Sequence, residues 1–194
     1  MGVAKNWLEE MVSEWLSLEG YSVETNVPLK SKAGGGRNEA DVLGFMFHGD
    51  ELHIVHAEAT VQLTKSHDDN VEKIKRKFSP NNMDTVLKIA RKKYGDRGIG
   101  STRHIFVSAL ASSSKEARNL KETLKTSNIE FMDFPELIKN CAGAIKRYGE
   151  RGIEGSMHRH SDKIFAVLPD SLWFMKMLGM MDMYPVLKIS EERT

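Results

Sequence analysis

Residues Glu51 to Leu63 read Glu-Leu-His-Ile-Val-His-Ala-Glu-Ala-Thr-Val-Gln-Leu. The run is rich in β-formers and contains neither glycine nor proline, so it predicts a strand. Side chains alternate along an extended chain. Glu58, Thr60 and Gln62 therefore share one face. His53, Val55, Ala57, Ala59, Val61 and Leu63 share the other, which is expected to be the buried one. Just upstream, His48-Gly49-Asp50 supplies turn chemistry, and Glu39 to Phe47 predicts a neighbouring strand. Further out, Ser31 to Asn38 with Gly34-Gly35-Gly36 reads as a loop, and Tyr21 to Leu29 as another strand. From Lys5 to Glu19, Leu8, Met11, Val12, Trp15 and Leu16 recur at three- and four-residue steps. That spacing predicts an amphipathic helix, with Gly20 just past its end. The first third of the chain is thus a helix followed by a β-meander.

Downstream the rhythm changes. Asp68 to Lys77 and Asn82 to Tyr94 predict helices, Gly95 to Ser101 a loop, and His104 to Leu110 a short apolar strand. Ser114 to Thr126 predicts a further helix, Ile129 to Met132 a brief strand, and Phe134 to Tyr148 another helix. Gly149 to His160 is polar and glycine-bearing, as a linker would be. Lys163 to Leu168 then predicts a strand and Ser171 to Met181 a methionine-rich helix. The order implies an α/β fold: a mixed central sheet with an antiparallel β-meander, flanked by helices. Residues 1–150 would form the main domain, and 151–194 a C-terminal strand–helix extension packed on it.

Composition narrows the class. A chain of 194 residues suits one soluble domain. Its 40% hydrophobic content and balanced charge, 28 basic against 27 acidic side chains, argue against disorder. A single cysteine, Cys141, supports no disulfide framework and fits a reducing, cytoplasmic setting. No stretch approaches the roughly 18 consecutive apolar residues of a membrane helix, and the opening residues do not form a signal-peptide core. With a net charge of +1, nucleic-acid binding would have to rest on local patches rather than on the field of the whole protein.

Chemistry concentrates at one end of the meander. Asp41 stands at the polar start of its strand, where a meander can bring it beside Glu58. The first helix offers Glu9, Glu10 or Glu14 from above. Converging carboxylates repel one another, and a divalent cation relieves that repulsion. Oxygen ligands suit Mg²⁺ or Mn²⁺, and such an ion can polarise a phosphodiester and activate water.

The pattern Leu8-Glu9-Glu10-Met11-Val12…Leu16…Gly20-Tyr21-Ser22-Val23, then an acid-led strand and a strand carrying Glu58, resembles the PD-(D/E)xK nuclease superfamily. It is similar to Mrr-type restriction endonucleases and archaeal Holliday-junction resolvases over roughly residues 5 to 110. The resemblance implies a restriction-endonuclease-like core with metal ligands Glu9 (Glu10 as the alternative), Asp41 and Glu58. It also implies Mg²⁺- or Mn²⁺-dependent cleavage of DNA, and a homodimer where both strands are cut. The sequence departs from the motif at its lysine, which is replaced by Thr60. Gln62, on the same face, is the candidate to orient water beside Thr60. Without that lysine, a catalytically inactive module binding nucleic acid or a protein partner is the alternative.

Basic residues placed for DNA contact are Arg37, Lys65, Lys73 and Arg76. Lys75 and Lys77 share the helix of the last two, where charge runs usually form a solvated face. His53 and His56 fall on opposite strand faces and cannot chelate one zinc ion together.

Overall fold

The computed structural model describes residues 6–29, 38–64, 66–110, 114–153, 172–175 and 177. Chain order is α1 (Trp7–Leu18), β1 (Ser22–Leu29), β2 (Asn38–His48), β3 (Glu51–Gln62), α2 (His67–Lys77), α3 (Pro80–Tyr94), β4 (Ile99–Leu110), α4 (Ser114–Lys125), β5 (Glu130–Asp133) and α5 (Phe134–Ile153). Two compact units are present, Met1–Leu137 and Ile138–Thr194.

The first unit holds a five-stranded mixed sheet in the order β1-β2-β3-β4-β5. β1, β2 and β3 pair antiparallel, whereas β4 joins β3, and β5 joins β4, in parallel. A two-residue turn at Gly49-Asp50 closes the β2–β3 hairpin, with Gly49 at φ +60°. That left-handed backbone is where glycine costs least. Parallel pairing of β4 requires a long crossover, and α2 and α3 supply it.

Helices flank the sheet. Val86 and Ala90 of α3 pack on Val27, Leu29, Phe45, Leu52 and Ile54. Ile74 of α2 and Leu120 and Leu124 of α4 close over Phe106, Ile129 and Phe131. α1 lies along β1, β2 and β3 and buries the spaced residues Leu8, Met11, Val12, Trp15 and Leu16. Gly20, at φ +100°, ends this helix as its spacing predicts, donating its N–H to the Ser17 carbonyl at 3.1 Å.

Three expectations are corrected. Burial of β3 is not confined to one face: Leu52, Ile54, His56 and Glu58 are as buried as Val55 and Ala57. Helical crossovers cover a parallel sheet on both sides, which removes the polar face a free meander would keep. β4 begins at Ile99, inside the expected loop, because Ser101 to Arg103 pair with His53 to Val55. α5 runs to Ile153, into the expected linker.

In the second unit, Trp173 is exposed while Phe174 and Met175 are buried. The strand expected at residues 163–168, and most of the methionine-rich helix, lie outside the described residues.

Candidate functional site

β2 and β3 separate at the end that carries the acids. Regular pairing stops at Val42↔Ala57, one rung short of Asp41 and Glu58. Beyond it the Ala59 N–H donates to Asp41 Oδ2 at 2.9 Å, so a side chain takes the place of a ladder carbonyl. On the other side, β1 also skips this rung: Asn26, facing Asp41, adopts φ +53°. Asp41 is therefore released from the sheet on both sides while its own carboxylate ties it to β3.

A cleft of about 430 Å³ opens at this point, lined by Glu9, Asp41, Glu58, Thr60, Gln62, Lys73 and Lys77 among others. Glu9 is positioned by its helix cap. Asn6 Oδ1 accepts the backbone N–H groups of Leu8 and Glu9 at 2.9 and 3.0 Å, and the Asn6 amide donates to the Glu9 carboxylate. Of the three acids open from α1, Glu9 lines the cleft and Glu10 and Glu14 do not.

Glu58 is 1% exposed and held on two sides. The His56 ring, fully buried two residues earlier on the same strand face, places Nε2 2.8 Å from Glu58 Oε1. Lys77 Nζ lies 2.6 Å from Glu58 Oε2. Phe78 packs on His56 with ring centroids 4.8 Å apart and stacks on His104 at 5.4 Å, which fixes the imidazole laterally. Burial, with a further contribution from His56, holds the His104 pKa below the usual histidine value.

The electrostatics follow from crowding. Burial, and then the charge of Glu58, push the Asp41 carboxyl up to about pKa 7, against the opposing Ala59 N–H and Lys77; Glu9 adds to the rise. For Lys77, burial by itself would lower the pKa. The carboxylates of Glu58, Asp41 and Glu9 together outweigh it, and the ammonium is held above its ordinary range.

Thr60 and Gln62 reach the cleft, but the Thr60 hydroxyl donates to the Gln62 carbonyl at 3.2 Å and is engaged within its own strand. Lys73 and Arg76 line a neighbouring recess. Arg37 and Lys65 lie outside the described residues.

Lys77 was expected on a solvated helix face and instead points into the cleft. The signal was its spacing. Asn70 and Ile74 are the buried positions of α2, and Lys77 stands three residues after Ile74 on that same stripe. Asn70 anchors the helix to the end of β3: its Oδ1 accepts from Thr64 N and Oγ1 at 3.1 and 2.6 Å, and its Nδ2 donates to the Thr64 carbonyl at 3.0 Å. His56 was likewise visible as a residue two before Glu58, sharing its face.

The donor chemistry of Glu9, Asp41 and Glu58 suits a hard divalent cation. Among the described residues, no group of three or more His, Cys, Asp or Glu side chains is arranged to hold a metal ion.

Comparison with protein-family models, curated proteins and solved structures finds no match to this chain. No helix among the described residues is long and apolar enough to cross a membrane.

Proposed function

We propose that this protein is a metal-dependent endonuclease that hydrolyses phosphodiester bonds in DNA, on a restriction-endonuclease-like core of the PD-(D/E)xK type. The observation that carries this reading is Lys77 beside Glu58. The motif position on β3 holds Thr60, which can carry no positive charge, and α2 brings an ammonium to the same cleft from another element.

Asp41 and Glu58, with Glu9 at the α1 side, would hold Mg²⁺ or Mn²⁺. When bound, the ion polarises the phosphate and lowers the pKa of the attacking water. The chain's own groups do the rest. His56 fixes one oxygen of Glu58 and so limits the carboxylate's rotation. Lys77 sets an ammonium where negative charge grows on the phosphoryl oxygens. Lys73 and Arg76 attract the strand. Thr60 and Gln62 shape the cleft wall. Cutting both strands of a duplex calls for two such sites, and hence a homodimer. A reducing, cytoplasmic setting suits the single, buried Cys141.

The second reading is an inactive module of the same fold that binds nucleic acid or a protein. The same ion pair favours it, because Lys77 already neutralises Glu58 without any cation. A cleavage assay separates the two. Supercoiled, linear, branched and single-stranded DNA would each be incubated with Mg²⁺, Mn²⁺ or EDTA. For the nuclease, cutting requires metal and disappears in Asp41→Ala and Glu58→Ala. Lys77→Ala lowers kcat by about 10²–10³, the cost of removing one preorganised charge-stabilising group. Folded protein that cuts none of these substrates overturns the nuclease and favours the binding module.

A further inference from the structure

The turn between α2 and α3 encloses a second recess of about 320 Å³, lined by Lys73, Arg76, Lys77, Asn38, Ser79 and Asn82. Lys73 and Lys77 border both cavities, so the recess adjoins the acidic cleft. Among the described residues its lining has the opposite character, with three cations and no carboxylate. We propose that this recess is a phosphate subsite for the nucleic-acid strand, receiving a phosphate other than the one at the carboxylates.

Three features make the recess a donor-lined cup. Lys73, Arg76 and Lys77 are three and four residues apart on α2 and share one helix face. The last carbonyls of a helix ordinarily present negative partial charge. Here the Asn82 amide covers them, donating to the carbonyls of Arg76 and Lys77 at 3.3 and 2.8 Å. Asn82 Oδ1 is in turn satisfied by Asn38 Nδ2 at 2.7 Å, so the oxygen does not face the recess as a free acceptor. Ser79 completes the wall. It is the N-cap of α3, yet its hydroxyl makes no capping hydrogen bond and is left to donate to a ligand. A tetrahedral dianion or a phosphodiester fits such a set of ammonium, guanidinium and hydroxyl donors.

The identity of the ligand as a strand phosphate rests on the proposed nuclease function; phosphate binding itself does not. The test is fluorescence anisotropy in EDTA, where no cutting occurs. A labelled single-stranded oligonucleotide carrying a 5′-phosphate or a 5′-hydroxyl is titrated with wild type, Arg76→Ala, Ser79→Asp and Lys121→Ala. Inorganic phosphate serves as competitor, and thermal melting checks that each variant is folded. Arg76→Ala and Ser79→Asp are expected to weaken oligonucleotide binding about tenfold and to flatten its salt dependence by about one phosphate contact. Lys121→Ala, an exposed lysine of α4 that does not line the recess, is expected to retain binding.

Equal losses for both oligonucleotides support an internal phosphodiester in the recess; losses confined to the 5′-phosphate form support a terminal one. Unchanged affinity in Arg76→Ala and Ser79→Asp overturns the subsite. Inorganic phosphate binding that depends on Arg76, without any effect on the oligonucleotide, overturns the strand as its source. Cleavage is assayed with Mn²⁺ on the same preparations. Arg76-dependent oligonucleotide binding without cutting would overturn the nuclease and leave the subsite standing.

Discussion

A carboxyl held near neutrality, as in Asp41, ties the stability of the fold to pH with a definite sign. Its pKa stands at about 7 in the folded chain against the ordinary aspartate value of 3.8, with burial and then Glu58 as the leading causes. The folded state thus binds the proton more tightly than the unfolded state does. This contribution is fully present below about pH 4 and is lost as pH rises toward 7. Asp41→Asn keeps an oxygen to accept the Ala59 N–H but carries no charge. On the alkaline side of neutrality, with EDTA, this variant should be more stable than wild type by about 1–2 kcal/mol, allowing for partial solvent screening. Denaturant melts of both proteins across the pH range check this, and a wild type whose stability stays level between pH 4 and 7 would contradict it. Mn²⁺ should raise the melting temperature of wild type and leave that of Asp41→Asn unmoved, because a ligand stabilises only the state that binds it.

At the scale of elements, α1 couples helix stability to the cleft through one side chain. Asn6 caps the helix and holds the Glu9 carboxylate. Asn6→Ala should cost about 1 kcal/mol in chemical denaturation, and should also weaken Mn²⁺ binding by removing the Asn6 amide from the Glu9 carboxylate. A Gly variant keeps much of the cap while losing the amide, so Asn6→Gly separates the two effects: stability largely returns and Mn²⁺ affinity does not. The meander and α1 were legible in the sequence because their signals are local: alternation, turn residues, three-and-four spacing. Asp41 beside Glu58 was legible for the same reason, since a hairpin turn fixes the register. The start of β4 was not. Gly100 and Ser101 read as loop, yet they extend β4, and the approach is close: a Cβ at position 100 would lie 3.0 Å from Glu51 Cβ and His53 Cε1, so a side chain there requires its neighbours to give way. Lys77 was legible only in part: its spacing after Ile74 puts it on the buried stripe of α2, but that this stripe meets Glu58 is decided by the placement of the crossover, which no local pattern records.

For the molecule as a whole, a net charge of +1 hides a strong local separation. Acids gather where β2 and β3 part, and three cations gather on the face of α2 beside them. The two sets come from different parts of the topology. The acids belong to α1 and the antiparallel hairpin, whose pairings are short in sequence. Lys77 belongs to the crossover, which is fixed in place only when β4 pairs in parallel with β3 across more than forty residues. Short loops close faster than long ones, and non-local parallel pairing is the slow step in such sheets. The order of assembly follows. During folding the carboxylates meet one another before their lysine arrives, and until β4 docks they form an acidic pair without its counter-charge. Divalent cations present during refolding would find that pair unguarded, so the same ions that the mature cleft would use for chemistry should also hasten its formation.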